Sequence, residues 1–168
     1  MSKKLVVDSS VVIALSRRGT LERNLKGKKD QNFEIVIPEA IARELLDEAK
    51  KLSATLRRKR PVLANKISRS VESINSVMEL GLLRVEPLDY RAYSQTIDNV
   101  RKYLSRLEAK KEHAVKKGDP ELIALIIQLY DTFGEKVFIA SEDKGLLRAL
   151  RHFSKRIEYE HIVIESHN

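Results

Sequence analysis

The sequence predicts an α/β domain: a doubly wound, mainly parallel sheet of about five strands flanked by helices. Short apolar runs alternate with helical patterns along the chain. The strand-like runs KLVVD, FEIVIP and KVFIAS are continuously apolar rather than alternating, as strands covered on both faces are. The 168 residues, 42% hydrophobic and 33% charged, suffice for one packed core. They show no repeat, low-complexity segment or linker, so a single domain over 1–168 is expected, with a helical flank at about 65–117.

KLVVD (4–8) reads as the first strand and VVIALSR (11–17) as the start of a helix. The stretch 17–32 is polar and punctuated by glycine, hence mostly loop. FEIVIP is the second strand, stopped by Pro38, and a helical pattern runs from Glu39 to about Leu56. RRKRP breaks it; helix resumes from about Val62 to Leu80, and Gly81 ends it. LLRVEP (82–87) reads as a third strand, and Leu88 to Lys117 as one or two charged helices. ELIALIIQLYDTF (121–133) is the most apolar helix, followed by KVFIAS as a fourth strand. KGLLRALRHF (144–153) is helical, and IEYEHIVIE (157–165) is a fifth strand.

A net charge of +8 and a pI near 9.7 suggest a polyanionic partner, most often nucleic acid; a basic soluble protein without one is the plain alternative. No apolar run approaches the roughly 20 residues that span a bilayer. MSKKLVVD has no long apolar stretch, so no secretion signal is expected and a cytoplasmic location is the default. The absence of cysteine excludes disulfides and thiolate metal sites. None of His113, His152, His161 and His167 falls in an H-x-x-x-H pair, so all read as surface or satisfied residues.

Four acids draw attention, and two of them, Asp8 and Asp143, fall where ligands bind in open parallel sheets, outside the carboxyl ends of strands. Asp8 sits where the first strand meets its helix, and Asp143 comes just after the fourth strand. Asp119 begins the apolar helix that feeds that strand. Glu44 lies about a turn and a half into the helix after the second strand. Each has a plain structural reading. Asp8 or Ser9 caps a helix, Asp119 precedes a Pro at a first helical position, and Asp143 favours a helix N-terminus. Glu44 borders an apolar face of Ile41, Leu45 and Leu52. Convergence changes the balance. Bare carboxylates about 4 Å apart repel by roughly 4 kcal/mol at an effective dielectric of 20. A cluster persists if cations neutralise it or if members hold protons. Oxygen-only ligands favour Mg²⁺ or Mn²⁺ over Zn²⁺.

The segments VVDSSVVIAL, PEAIARELL, GDPELIALIIQL and VFIASEDKGLLRAL resemble the PIN-domain ribonucleases, over nearly the whole chain. Asp8-Ser9-Ser10 matches the family's D-[ST]-[NS] turn, Glu44 its helical glutamate, and Asp119 its helix-opening aspartate. Ser141-Glu142-Asp143 matches its T-x-D turn. The resemblance implies that Asp8, Glu44, Asp119 and Asp143 hold Mg²⁺ or Mn²⁺ and that Ser10 and Ser141 support them. It implies endonucleolytic cleavage of RNA, and it admits a homodimer and an inhibitory antitoxin-like protein as partners. Glu48, one turn beyond Glu44, and Glu142, beside Asp143, are alternative members of the acidic set. The stretch 57–117 is longer than in small toxin-type members.

LRRKRP places Arg57, Arg58, Lys59 and Arg60 in the densest positive cluster, flanked by Lys50, Lys51, Lys66 and Arg69, and these are the candidate RNA contacts. A second set, Arg101, Lys102, Arg106, Lys110, Lys111, Lys116 and Lys117, is interleaved with Glu108 and Glu112 and reads equally as a solvated face. Tyrosines and phenylalanines form no stacking motif. An aspartate-nucleophile phosphoryl-transfer enzyme would carry an acid where Ser10 stands; the acidic pair of a receiver domain and the GxxxxGK[ST] loop are absent. The remaining alternative is a non-catalytic RNA-binding or scaffold domain of the same fold.

Overall fold

A computed structural model describes residues 2–164. Five parallel strands form one sheet in the order β3-β2-β1-β4-β5. They are β1 (Lys3–Val7), β2 (Phe33–Ile37), β3 (Arg84–Val85), β4 (Val137–Ala140) and β5 (Tyr159–His161). The expected α/β class and parallel sheet are therefore correct. In register, Leu5 pairs with Ile35 on one side and Phe138 on the other. Leu5, Val6, Val36, Ile37 and Ile139 are fully buried, which is why these strands carry no polar alternation.

The chain winds outward from β1 to β3, then crosses back to β4 and β5. Right-handed crossovers then put the early and late helices on opposite faces. The contacts agree. α1 (Ser9–Arg17) and α2 (Leu21–Asp30) meet α5 (Pro61–Glu79), whereas α7 (Gly118–Phe133) meets α6 (Tyr90–Leu107) and α8 (Lys144–Phe153). The stretch Leu122–Ile126 of α7 is apolar all round because the helix lies between strands β1 and β4 and helices α3 (Glu39–Arg43), α6 and α8. Its Leu122, Ile123, Ala124, Leu125 and Ile126 have no exposed surface. The segment expected as one helical flank is divided: α5 buries Val71 and Ile74 among the early helices, and α6 buries Val100 and Leu104 among the late ones.

Three expectations need correction. The stretch read as loop contains α2. Leu21 and Leu25, four residues apart, are both buried, and Glu22 pairs with Lys26 at 3.4 Å. Each leucine contributes about 1.5–3 kcal/mol by burial, against roughly 1 kcal/mol for Gly27 in a helix. The real break is Gly19, whose φ of +70° suits glycine.

The edge strands are shorter than their apolar runs. β3 keeps two residues because Leu82 and Leu83 turn into the core before pairing begins and Pro87 has no N–H. β5 keeps three residues; the last residue of the expected strand, Glu165, lies outside the described residues, as does His167.

The helix expected from Glu39 to Leu56 is interrupted. After α3 comes a π-helical turn, Glu44–Glu48, and then α4 (Ala49–Leu56). One extra residue in a turn rotates the remainder of the helix by about 100°. Leu52 is thereby carried off the face of buried Ile41 and Leu45, and is 50% exposed. Among the described residues no helix is long and apolar enough to cross a membrane.

Candidate active site

The strand order reverses between β1 and β4, which opens a crevice at their carboxyl ends. Asp8 N–H donates to Ala140 O at 3.0 Å and ties the two strand ends together there. Asp8 is only 3% exposed. Its Oδ1 accepts the Ser9 N–H at 2.8 Å and so caps α1. Its Oδ2 accepts two hydroxyls, Ser10 Oγ and Ser141 Oγ, each at 3.0 Å. The cap and the site are one residue, so the two readings of Asp8 are compatible.

Ser141 joins the two strand ends a second time. Its Oγ also accepts the Asp143 N–H at 3.1 Å, and Asp143 Oδ1 caps α8 by accepting the Leu146 N–H at 3.1 Å. Behind it, His161 Nε2 lies 2.8 Å from Ser141 O, so that histidine is satisfied as expected.

Glu44 arrives from the other side on the π turn, half-buried. Ser9 Oγ lies 3.3 Å from Glu44 Oε1 and 3.5 Å from Asp8 Oδ1, bridging the two acids. Burial pushes the Glu44 carboxyl above the usual range, and the charges of Asp8 and Glu48 add to this. Lys116, whose Nζ is 3.9 Å from Glu44 Oε1, and the Ser9 hydroxyl oppose the shift. Sequence patterns assign Ser9 only a capping role and place Lys116 among the helical surface charges. Both belong to this crevice; Ser9 is marked only as the middle residue of the Asp8-Ser9-Ser10 turn, and nothing local in the sequence marks Lys116.

Asp119 is the second residue of α7 and is 7% exposed. It caps nothing: α7 has no side-chain cap, and the Asp119 carboxyl accepts no hydrogen bond among the described residues. Burial, then the charges of Asp8 and Asp143, push its carboxyl up to about 7; Lys116 opposes them, and Glu44 adds a smaller push. Gly118 permits the close approach of α7 to α3. A Cβ there would stand 2.9 Å from Ile41 Cγ1 and 3.3 Å from Glu44 Oε2.

Asp8, Glu44, Asp119, Asp143, Ser10 and Ser141 thus lie at one edge of the sheet. Among the described residues, however, no three acid or imidazole side chains close into a set that would grip a metal ion as they stand. Each acid except Asp119 leans on its own hydroxyl or amide donor, and mutual repulsion holds bare carboxylates apart. The chemistry of the set still suits a hard divalent cation. All donors are oxygens, and the Asp119 carboxyl, free of hydrogen bonds within the described residues, opens to the crevice beside Asp8 and Asp143. Glu48 lines a groove beside Glu44, and Glu142 is exposed.

Arg57, Arg58, Lys59 and Arg60 form the exposed tip between α4 and α5. At 1.5 Å per residue, that tip is about 20 Å along the helix from Glu44.

A family model described as Halobacterial PIN domain matches residues 1–165. No curated protein and no solved structure matches the chain.

Proposed function

The chain belongs to the PIN-domain family, whose members are generally nucleases, and from that premise we propose that it is a divalent-metal-dependent endoribonuclease hydrolysing RNA phosphodiester bonds. The observation that carries the proposal is Asp119: in a residue only 7% exposed, its carboxyl makes no hydrogen bond within the described residues, opens to the crevice, and is crowded by the charges of Asp8, Asp143 and Glu44. Such an arrangement is costly unless a cation or a proton neutralises it.

Asp8, Asp119, Asp143 and Glu44 are the residues that would hold Mg²⁺ or Mn²⁺. A bound ion of this kind supplies an acidified water and a counter-charge for the phosphate. The chain's own groups do the rest. Ser10 and Ser141 fix the direction of Asp8 Oδ2, leaving its position set before substrate arrives. Ser9 holds Asp8 and Glu44 in register. Lys116 offsets part of the negative charge at the entrance.

A second reading has one observation in its favour. Since no three ligands stand assembled among the described residues, the domain would serve as a non-catalytic RNA-binding scaffold. One experiment separates the two. Labelled single-stranded RNA is incubated with the protein and Mg²⁺ or Mn²⁺, with and without chelator, beside Asp8→Asn. Metal-dependent cutting that Asp8→Asn abolishes supports the nuclease. Binding without cutting under any metal supports the scaffold.

A further inference from the structure

The cations nearest the site along the chain are not those at the α4–α5 tip. From Lys144 to Ile157 the sequence carries Lys144, Arg148, Arg151, Lys155 and Arg156 and no acid at all. On α8, positions 144, 148 and 151 fall on one face, and all three side chains are exposed. Buried Leu146, Ala149 and Leu150 occupy the opposite face. Some cations on other helices are neutralised locally, Lys26 by Glu22, Arg43 by Glu39 and Arg101 by Asp98, while others, such as Lys50, Lys51, Lys66 and Arg69, stand without an ion pair among the described residues. None of the five cations after Asp143 has an ion-pair partner among the described residues. Unpaired positive charge in a row is what a polyanionic strand neutralises best.

The row has a direction. It starts at Asp143, which caps α8 in the carboxylate crevice, and ends at an aromatic platform. Exposed His152 stacks on Tyr103, ring centroids 4.7 Å apart and planes within 19°, and Phe153 braces both rings edge-on. A groove of about 470 Å³ continues from there, lined by His152, Phe153, Lys155, Arg156 and Asp131. Its one acid, Asp131, is held by the Tyr93 hydroxyl at 2.6 Å.

We infer that α8 is a binding track for single-stranded RNA: Lys144, Arg148 and Arg151 hold successive phosphates, and a base stacks on His152, leading the strand to Asp143. This rests on the nucleolytic reading of the carboxylate site. Backbone phosphates favour exposed cations in a line, and sequence-tolerant stacking needs an open ring face. Both features sit here on the same element as a site acid, whereas the α4–α5 tip has cations without rings and lies about 20 Å along its helix from Glu44.

The test uses a fluorescein-labelled RNA of eight nucleotides and anisotropy in chelator, so that binding is read without cleavage. The double variant Arg148→Gln/Arg151→Gln is expected to bind at least tenfold more weakly at low salt. Its log–log salt slope should be shallower by about 1.4, for two lost phosphate contacts on a single strand. Arg148→Lys/Arg151→Lys should recover most of the affinity, which a merely structural role would not. His152→Ala should lose on the order of tenfold and His152→Phe much less. Arg57→Gln/Arg58→Gln should weaken this short RNA less than the α8 pair does. The track is overturned if the Gln pair binds with wild-type affinity and slope, if the Lys pair is as defective as the Gln pair, or if wild type does not bind. If α8 binds RNA but no metal supports cutting, the nuclease reading fails and the track stands. If wild type cuts and the α8 variants cut equally well at subsaturating RNA, the track fails alone.

Discussion

Ser141 Oγ donates to Asp8 Oδ2 at 3.0 Å, across 133 residues of chain. The same oxygen accepts the Asp143 N–H at 3.1 Å, so one hydroxyl couples the acid after β1 to the acid after β4. Loss of an outer hydrogen bond to a metal ligand typically costs 10–100-fold in metal affinity or activity. Ser141→Ala should therefore lower the cleavage rate by roughly that factor while leaving the fold intact, and Ser141→Thr should restore much of it. Single-turnover rates across a Mn²⁺ titration, beside far-UV circular dichroism, would check this.

The raised Asp119 carboxyl makes stability depend on pH in a definite direction. Its folded value is about 7 against an ordinary 3.8, so between those limits the folded state holds a proton that the unfolded chain has released. Stability must then fall as pH rises through that window, by at most about 4 kcal/mol. Glu44, also raised, adds in the same direction. Urea melts in chelator from pH 4 to pH 8 should show the decline.

Divalent cation should reverse that decline. Mg²⁺ competes with the proton for the same oxygens, so saturating Mg²⁺ should raise the melting temperature more at pH 8 than at pH 5. Equal shifts at both values would place the cation elsewhere.

Asp119→Asn removes the buried charge while keeping the shape. In chelator it should be more stable than wild type at pH 8, by of order 1 kcal/mol or more, and should fold as readily. It should lose metal-dependent cleavage. Thermal melts and the RNA assay on the same preparation read both outcomes.

Gly118→Ala tests the close approach of α7 to α3. The new Cβ would press on Ile41, which is fully buried and has nowhere to move, and on Glu44 Oε2. Overpacking of this kind costs about 1–3 kcal/mol. The variant should melt lower and cut more slowly, as denaturant unfolding and cleavage rates would record.

The readable parts of the sequence are those where one physical signal dominates. KLVVD, FEIVIP and KGLLRALRHF mark β1, β2 and α8 nearly to the residue, since apolar runs and helical periodicity there meet no competing breaker. Asp8, Asp119 and Asp143 are legible through their places after strands and at a helix start, and Glu44, inside a helix, through the motif resemblance that groups the four. Helix α2 is hidden because two leucines carry its whole apolar face amid lysines and glycine. The π turn is hidden because its register shift leaves no compositional mark, so Leu52 looks like core. Ser9 and Lys116 join the crevice through contacts with Glu44, which lies 35 residues from Ser9 and belongs to another element. The α8 cations are hard to see because they are spaced along a helix, while Arg57 to Arg60 are contiguous in the chain.

The proposed chemistry stands or falls with Asp8, Glu44, Asp119 and Asp143 forming one cation site. Electron paramagnetic resonance of Mn²⁺ titrated into the protein at pH 8 measures this. Saturable binding is expected, weakened at least tenfold by Asp8→Asn and by Asp119→Asn in proteins that remain folded. Undiminished binding in both variants, or none in the wild type, would refute the site.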